Sequence, residues 1–161
     1  MHTGRKTTPE SKRHEYFMQE ALKEARLAFD KNEVPVGCVI VYKDEIYSKG
    51  HNRRIEKSDP TSHAEIEAIQ SACTKRADWR LEDMTLYVSS EPCLMCAGAI
   101  IHSRISKVVY GCKERKMGAV ESIYRAFDIN TLHHKVEYIG GVLEKECSDI
   151  LTEFFKKIRS K

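Results

Sequence analysis

Apolar residues recur at steps of three and four near the start of the chain, which is the repeat of a helix with one buried face. The residues that follow this repeat are Phe17, Ala21, Ala25, Ala28 and Phe29. The repeat predicts a helix that begins at Ser11. Pro35 and Gly37 end it, because neither residue is favourable in the interior of a helix.

Short apolar runs separated by turn residues predict five strands further along the chain. These runs are residues 37–42, 46–50, 85–89, 107–111 and 135–139. Residues 43–45 separate the first two runs by a short polar turn, so these two strands are expected to form a hairpin.

Helices are predicted between these strands. A start signal at Asp59-Pro60-Thr61, with Asp59 or Thr61 as the cap, opens a helix that runs to about Ala72. Pro92 opens another helix that ends at about His102. A short helix at 122–127 and an amphipathic helix at 144–159 complete the pattern, and the alternation of strands and helices predicts an α/β sandwich around one sheet.

A chain of 161 residues fits one domain, and no repeat or linker divides it. We expect a loose basic extension over residues 1–12 and a single domain over 13–161. The longest apolar run, around residues 34–42, suits one buried strand rather than a membrane span. The polar N-terminus does not resemble a secretory signal, so a cytoplasmic protein with no membrane contact is expected.

The net charge of +3 is too small to indicate a nucleic-acid-binding protein by itself. Basic residues nevertheless cluster in two places. They are Lys113, Arg115 and Lys116, and then Lys156, Lys157, Arg159 and Lys161. Charge alone favours two solvated faces for these clusters, with a phosphate-contacting rim as the alternative.

Two of the six cysteines, Cys93 and Cys96, are closely spaced. This usage indicates metal-binding thiolates in a reducing compartment rather than a disulfide framework. The other thiols are expected to be buried or incidental, with Cys38, Cys73 and Cys147 as small core residues. His133 and His134 are expected on a surface loop rather than at a metal.

His63-Ala64-Glu65 and Pro92-Cys93-Leu94-Met95-Cys96 form the strongest motif pair in the chain. One imidazole and two thiolates provide three zinc ligands and leave one position open for water, which is typical of a catalytic rather than a structural site. Two thiolates neutralise the formal charge of Zn²⁺, so the water needs a carboxylate to take its proton, and Glu65 stands beside the histidine. A pattern of H-x-E followed by P-C-x-x-C is typical of zinc-dependent nucleobase deaminases.

Both halves of the motif fall at predicted helix starts, where the unpaired N–H groups favour thiolates. Residues two apart on a helix point about 200° away from each other, so His63 and Glu65 do not share a helix face. They can converge only if the site lies over the end of the helix. That position is a geometric requirement of the hypothesis.

The wider sequence resembles the bacterial tRNA-specific adenosine deaminases, which belong to the cytidine-deaminase-like superfamily. The stretches that carry the resemblance are EVPVGCVIV (33–41), HN (51–52), DPTSHAEIEAI (59–69), WRL (79–81), TLYVSSEPCLMCAGAIIHSRISKVVYG (85–111) and FFKKIR (154–159). The resemblance implies a three-layer α/β/α sandwich around a mixed five-stranded sheet. It also implies conversion of adenosine to inosine at the wobble position of tRNA anticodons by a homodimer with one zinc per subunit.

The resemblance also implies roles for individual residues. His63, Cys93 and Cys96 would hold zinc, Glu65 would move protons, Asn52 would hydrogen-bond the flipped base, and Val36 would border its pocket. The remaining expected RNA contacts are Lys113, Glu114, Lys116, Phe154, Phe155, Lys156 and Arg159. One of the two phenylalanines would be a stacking ring for a base. With the resemblance taken into account, the two basic clusters are expected to contact the anticodon stem-loop rather than only solvent.

Three positions depart from the family pattern. Glu114 replaces an aspartate expected to contact the sugar next to the target, Cys112 replaces a common alanine, and Glu121 replaces a small residue.

Two other functions remain open on the sequence. One is a deaminase of a free base or nucleotide of the guanine or cytosine type, and the other is a non-catalytic tRNA-binding subunit, against which the intact Glu65 argues.

Overall fold

The computed structural model describes residues 7–161, in which five helices and five strands alternate. The helices are α1 (Pro9–Asp30), α2 (Arg54–Lys57), α3 (Ala64–Arg76), α4 (Leu94–His102) and α5 (Glu144–Arg159). The strands are β1 (Gly37–Tyr42), β2 (Glu45–His51), β3 (Thr85–Ser90), β4 (Lys107–Cys112) and β5 (Glu137–Ile139). A single 3₁₀ turn, Ala126–Asp128, lies before β5.

The strands form one mixed sheet in the order β2-β1-β3-β4-β5. β1 pairs antiparallel with both β2 and β3, whereas β3, β4 and β5 run parallel to one another. Lys43 and Asp44 connect β1 to β2 with φ angles of 51° and 61°. Two successive left-handed residues are typical of the hairpin turn whose twist matches that of its strands. The predicted hairpin and the mixed five-stranded sheet are confirmed.

Helices cover both faces of the sheet because consecutive strand side chains alternate between two cores. One core, on the side of α1 and α5, contains Phe17, Met18, Ala21, Val39, Val41, Tyr87, Val109 and Cys147. The other core, on the side of α3 and α4, includes Cys38, Ile40, Ala64, Ala68, Leu86, Val88, Ala97, Ile100 and Val108. The fold is therefore the expected three-layer α/β/α sandwich.

One edge of the sheet collects the segments that carry the predicted site. The first residue of β1 pairs with the last of β2 (Gly37 with His51), and the last residues of β3 and β4 pair with each other (Ser90 with Cys112). The start of β1 and the ends of the other three strands therefore lie together. α4 begins directly after β3 at this edge and returns the chain to the start of the parallel strand β4.

The N-terminal boundary differs from the prediction. Thr8 caps α1, and its side chain and that of Ser11 form a reciprocal capping box with each other's backbone N–H. α1 therefore begins at Pro9, and residues 9–12 are helical rather than loose. Residues 1–6 of the expected extension lie outside the described residues.

Other local predictions need correction. The helix expected at 122–127 is wrong, since only the three-residue turn Ala126–Asp128 is present there. β5 spans three residues instead of five. Neither Asp59 nor Thr61 caps α3. His63 occupies the cap position, while Asp59 Oδ1 accepts hydrogen bonds from the Thr61 N–H and hydroxyl and shapes the preceding turn. The short helix α2 was not predicted.

Within residues 7–161, no helix combines the length and apolar character needed to cross a membrane.

Gly50 lets α3 pack directly on β2. A Cβ at this position would lie 2.6 Å from the Ala68 backbone nitrogen and 2.9 Å from the Glu67 Cβ. Both atoms belong to α3, so no flexible side chain can move to make room.

We predict that Gly50→Ala lowers the free energy of unfolding by about 1–3 kcal/mol, because the added methyl forces α3 away from the sheet. Urea unfolding followed by circular dichroism measures the change. Gly98→Ala is the matched control, since a Cβ at Gly98 in α4 meets nothing within 4 Å. The control should raise stability by about 0.5–1 kcal/mol through helix propensity. Equal stability of Gly50→Ala and the unmodified chain would contradict the close packing.

Candidate active site

α3 and α4 begin at the same cavity, and each helix has a predicted metal ligand at its cap position. His63 precedes α3 with φ −73° and ψ 156°, and Cys93 precedes α4 with φ −75° and ψ 175°. The cavity has a volume of about 430 Å³. Its lining residues are Val34, Val36, Asn52, Arg54, Pro60, His63, Glu65, Ser90, Glu91, Cys93, Leu94, Met95, Glu114 and Met117.

Of the three predicted metal ligands, His63 and Cys93 line this cavity, and the fully buried Cys96 lies next to them. His63 Nδ1 is 3.6 Å from Cys93 Sγ and 3.6 Å from Cys96 Sγ, and all three donor atoms lie within 4.8 Å of one another. Zn–N bonds of about 2.0 Å and Zn–S bonds of about 2.3 Å in tetrahedral geometry separate nitrogen from sulfur by about 3.5 Å. The observed spacing fits a tetrahedral metal without rearrangement of the side chains.

The two thiols of this group differ in pKa, so that Cys93 loses its proton more easily than Cys96. Hydrogen bonds from the Cys96 thiol and from His63 lower the pKa of Cys93 to about 4, against the opposing effect of burial. The pKa of Cys96 is raised, first because its thiol donates to Cys93 and then because it is buried. A metal that binds both sulfurs must therefore displace the proton of Cys96.

Glu65 reaches the same cavity from the first turn of α3. Its residue is 4% exposed, and burial raises the pKa of its carboxyl to about 6. His63 lies in the extended residue before the helix and Glu65 lies inside it, so both side chains face the space over the helix end. The geometric requirement set by the sequence is met.

Asn52 and Val36 lie where the sequence places them, on the wall contributed by the β1–β2 side. Asn52 Nδ2 donates to the Val34 carbonyl at 3.3 Å. Its Oδ1 is buried, and nothing among residues 7–161 hydrogen-bonds to it. A buried acceptor without a partner is unfavourable, so it is available to a donor on a bound molecule.

The loop after β4 brings Glu114 to the cavity but leaves its two lysines on the outside. Glu114 Oε1 accepts from the Lys116 N–H at 3.1 Å, and Oε2 accepts from the Met117 N–H at 2.5 Å. The Glu114 carboxylate therefore closes a tight turn in its own loop. Lys113 and Lys116 are exposed and do not line the cavity.

The two phenylalanines of α5 have different environments, and the prediction for one of them is wrong. Phe154 is 2% exposed and packs with Phe29 at a ring-centroid distance of 5.8 Å, so it is a core residue and cannot stack on a base. Phe155 is 44% exposed. Lys156 and Arg159 are exposed on the last turn of the same helix.

The remaining cysteines and histidines stay away from the cavity. Cys38 and Cys147 are buried, as expected, whereas Cys73 is partly exposed. His133 is exposed, and the partly buried His134 forms a hydrogen bond through Nε2 with the Ile105 carbonyl at 2.7 Å.

Two buried glutamates next to the site were missed by sequence reasoning. Glu33 is almost fully buried and accepts from the Ile55 N–H at 2.7 Å, which fixes the start of α2 beside Asn52. Glu91 is buried beside Cys93 and accepts from the loop after β4. Both glutamates lie in stretches that carry the family resemblance, Glu33 two residues before Pro35 and Glu91 directly before Pro92, but the sequence does not show which N–H groups they bind.

Comparison with known proteins identifies the family. The model of the MafB19-like deaminase family matches residues 12–159. A tRNA-specific adenosine deaminase of Aquifex aeolicus is 48% identical over 146 residues, which cover 91% of this chain and 96% of that protein. A tRNA-specific adenosine deaminase of Streptococcus pyogenes serotype M1 is 45% identical over 91% of this chain and 85% of its own length. The chain belongs to the tRNA-specific adenosine deaminase family.

Solved structures agree with this family assignment. One, from a study of A-to-I editing by tRNA:A34 deaminases at the wobble position of transfer RNA, superimposes with a TM-score of 0.82 at 43% identity. The match covers 84% of this chain and 99% of that chain. A guanine deaminase from Nitrosomonas europaea superimposes with a TM-score of 0.75 at 20% identity, covering 96% of this chain and 95% of the other, a likeness that shows the fold alone.

We predict that the purified deaminase carries about one metal ion per chain and that Cys96→Ala removes it, because two remaining donors hold a divalent ion weakly. Elemental analysis by mass spectrometry measures the content. Cys73→Ala is the matched control, since Cys73 lies at the far end of α3 with its thiol 3.6 Å from the Trp79 carbonyl. Full metal content in Cys96→Ala would contradict the assigned ligand group.

Proposed function

We propose that this protein hydrolyses the 6-amino group of adenosine at the wobble position of tRNA anticodons, giving inosine and ammonia. One observation carries the proposal: a three-donor metal group and a buried carboxylate face the same cavity in a chain of this family. The wobble position is supported by the similar structure from the study of tRNA:A34 deaminases.

His63, Cys93 and Cys96 would hold one Zn²⁺ per subunit. When bound, Zn²⁺ supplies a Lewis acid that makes water a nucleophile at neutral pH. The donor set of one nitrogen and two sulfurs suits zinc, and three protein ligands would leave one coordination position for water.

Glu65 would carry the protons of the reaction. Its carboxylate would take the two protons of the attacking water one after the other and deliver one to the ring nitrogen and one to the departing amine, so that water is consumed and ammonia released. Burial raises the pKa of this carboxyl to about 6, which brings its proton affinity closer to the pH of the cell. A group with that affinity both accepts and returns a proton with little loss of free energy.

The cavity walls would hold the flipped base. Asn52 Oδ1 is a buried acceptor without a partner in the described part of the chain, and a ring or sugar donor of the substrate would satisfy it. Val36 would pack against the face of the base. A base must leave its stack to enter such a site, which is easiest in the single-stranded loop of an anticodon.

The rim of the cavity would contact the RNA around the target. Phe155 is the exposed aromatic ring on α5 and suits stacking with a neighbouring base. Lys156 and Arg159 on the last turn of α5, with Lys113 and Lys116 on the loop after β4, would lie near phosphates. Glu114 lines the cavity and would contact the sugar next to the target.

We also propose a homodimer that acts in the cytoplasm. Leu94 and Met95 present apolar side chains to solvent on the first turn of α4, which supports burial against a second copy. All six cysteines are free thiols, and metal ligation by Cys93 and Cys96 requires a reducing compartment.

We predict that Glu65→Ala retains the metal and the fold but deaminates an anticodon stem-loop at least about 100-fold more slowly, since loss of a positioned general base removes that much rate. Inosine formation at saturating enzyme measures the rate. Glu82→Ala is the control and should leave the rate unchanged. Glu82 is an exposed carboxylate in the turn before β3. Near-normal turnover of Glu65→Ala would overturn the assigned proton carrier.

We predict that replacing Lys156 and Arg159 by alanine weakens binding of the stem-loop and reduces the dependence of log affinity on log salt by about 0.7 per cation removed. Fluorescence anisotropy at four salt concentrations measures both quantities. Lys145→Ala is the control from the same helix, because Lys145 lies at its opposite end and pairs with Asp149 at 2.6 Å. An unchanged salt dependence in the double variant would remove the end of α5 from the RNA-binding surface.

A further inference from the structure

Glu91 is a buried carboxylate that the catalytic scheme above does not use. It follows the last residue of β3 and precedes the turn that carries Cys93, and it is 3% exposed. Oε2 accepts hydrogen bonds from the backbone N–H groups of Val120, Glu121 and Ser122 at 3.1, 2.8 and 3.0 Å. Oε1 accepts from the Glu114 N–H at 3.2 Å and from the Ser122 hydroxyl.

These five donors all belong to the loop that follows β4. The loop has no helix or strand of its own between β4 and the turn Ala126–Asp128, so four of its backbone N–H groups depend on one side chain. An N–H group shielded from water and left without an acceptor is unfavourable, because it loses its bonds to water and gains none in return. The Glu91 carboxylate therefore determines the conformation of the loop.

Gly118 shows how closely the loop fits around this carboxylate. A Cβ at Gly118 would lie 2.6 Å from Glu91 Oε1 and 2.6 Å from its Cδ. The Ala119 N–H also donates to the Pro92 carbonyl at 2.8 Å, and Gly118 forms an isolated bridge with Cys93. The loop is thus attached to the turn that carries a metal ligand.

The same loop supplies two residues of the cavity wall, Glu114 and Met117. The Glu121 side chain attaches its far end to the sheet by accepting a hydrogen bond from the buried Tyr110 hydroxyl. Because Glu91 joins the loop to the metal-ligand turn, its length and charge fix where Glu114 and Met117 lie relative to the metal group.

We propose that Glu91 is a positioning residue, which holds the loop of residues 113–122 in the conformation that binds the RNA next to the target adenosine. This inference rests on the proposed function for its substrate, but the order of the loop is independent of it. Glu91 acts through the loop, because the hydrogen bonds that its two carboxylate oxygens accept all come from that loop.

The first test measures loop order without any substrate. Lys113, Arg115 and Lys116 are exposed trypsin sites inside the loop. In Glu91→Gln, an NH2 group replaces one carboxylate oxygen and faces N–H groups that need an acceptor, so the loop should open more often. Cleavage at these three sites should become at least about 10-fold faster, while the midpoint of global unfolding stays within a few degrees. Peptide mass spectrometry assigns the sites.

Glu33→Gln is the matched control for this test, because Glu33 is also buried and also accepts from a backbone N–H of a distant segment, that of Ile55 in the first turn of α2. It should accelerate cleavage at Arg53, Arg54 and Lys57 and leave the sites of the 113–116 segment unchanged. Unchanged cleavage of that segment in Glu91→Gln would overturn the proposal, whatever the protein's substrate.

The second test separates positioning from a general structural role. In single-turnover deamination of an anticodon stem-loop, Glu91→Gln should raise the half-saturating enzyme concentration about 10-fold or more and change the saturated rate much less, with the metal content unchanged. Ser122→Ala, which removes one of the five donors, should shift the same concentration in the same direction by a smaller factor. Two results for Glu91→Gln would contradict the proposal and place Glu91 in the metal site. One is loss of the metal, and the other is a lower saturated rate with an unchanged half-saturating concentration.

If the stem-loop is not deaminated by the unmodified protein, the proposed function fails while the cleavage test still decides the role of Glu91.

Discussion

The site depends on the meeting of two helix N-termini at one edge of the sheet. β3 and β4 run parallel, so the chain must cross over between them, and α4 begins where β3 ends. β1 runs antiparallel to β3 and starts at the same edge, which brings α3 to the neighbouring position through the β1–β2 hairpin. His63 and Cys93 occupy the two cap positions, so the backbone itself aims both ligands at one point. The unpaired N–H groups of both helices favour the thiolates and the carboxylate gathered there.

Buried carboxylates perform different tasks around this point. Glu65 faces the cavity close to His63, Cys93 and Cys96, and burial raises the pKa of its carboxyl. Glu91 and Glu33 lie as deep, but Glu91 accepts from four backbone N–H groups, and both oxygens of Glu33 accept from one, that of Ile55. For Glu91, burial acts to raise the pKa, but hydrogen bonds from the Ser122 hydroxyl and the backbone N–H groups outweigh it and lower the pKa. Glutamate thus has two environments here: at position 65 it faces the cavity, where we propose that it carries protons, and at position 91 its oxygens are saturated by N–H groups and anchor a loop.

The sequence predicted the chemical centre better than the surface around it. The grouping of His63, Cys93 and Cys96 could be predicted because metal ligation restricts both residue type and spacing. Glu65 could be placed beside them from the H-x-E motif. Phe154 was assigned to the RNA although it lies on the helical repeat of Cys147 and Ile150, a spacing that already indicates the core. Only the position of each residue in the helical repeat tells which of two adjacent aromatic residues is buried and which is exposed. The resemblance to the family does not give that position.

The long-range partners of polar residues were not predictable. Glu91 binds N–H groups about thirty residues away, and these bonds replace the helix that local propensity favours at 122–127. The start of α1 was placed late, because the capping box of Thr8 with Ser11 uses serine rather than the glutamate that usually completes this signal. Each error arises where a contact between distant segments, or an unusual local pair, decides the structure.

We propose that this cavity deaminates a wobble adenosine in RNA. The most direct measurement is inosine and ammonia formation by the purified protein on an anticodon stem-loop with adenosine at the wobble position. Free adenosine, guanine and cytosine are assayed in parallel, before and after the metal is removed by a chelator. The account predicts inosine in the RNA alone, its loss with the metal and its return when zinc is added. Deamination of a free base with no change in the RNA would contradict the account and leave the basic rim without a nucleic-acid role.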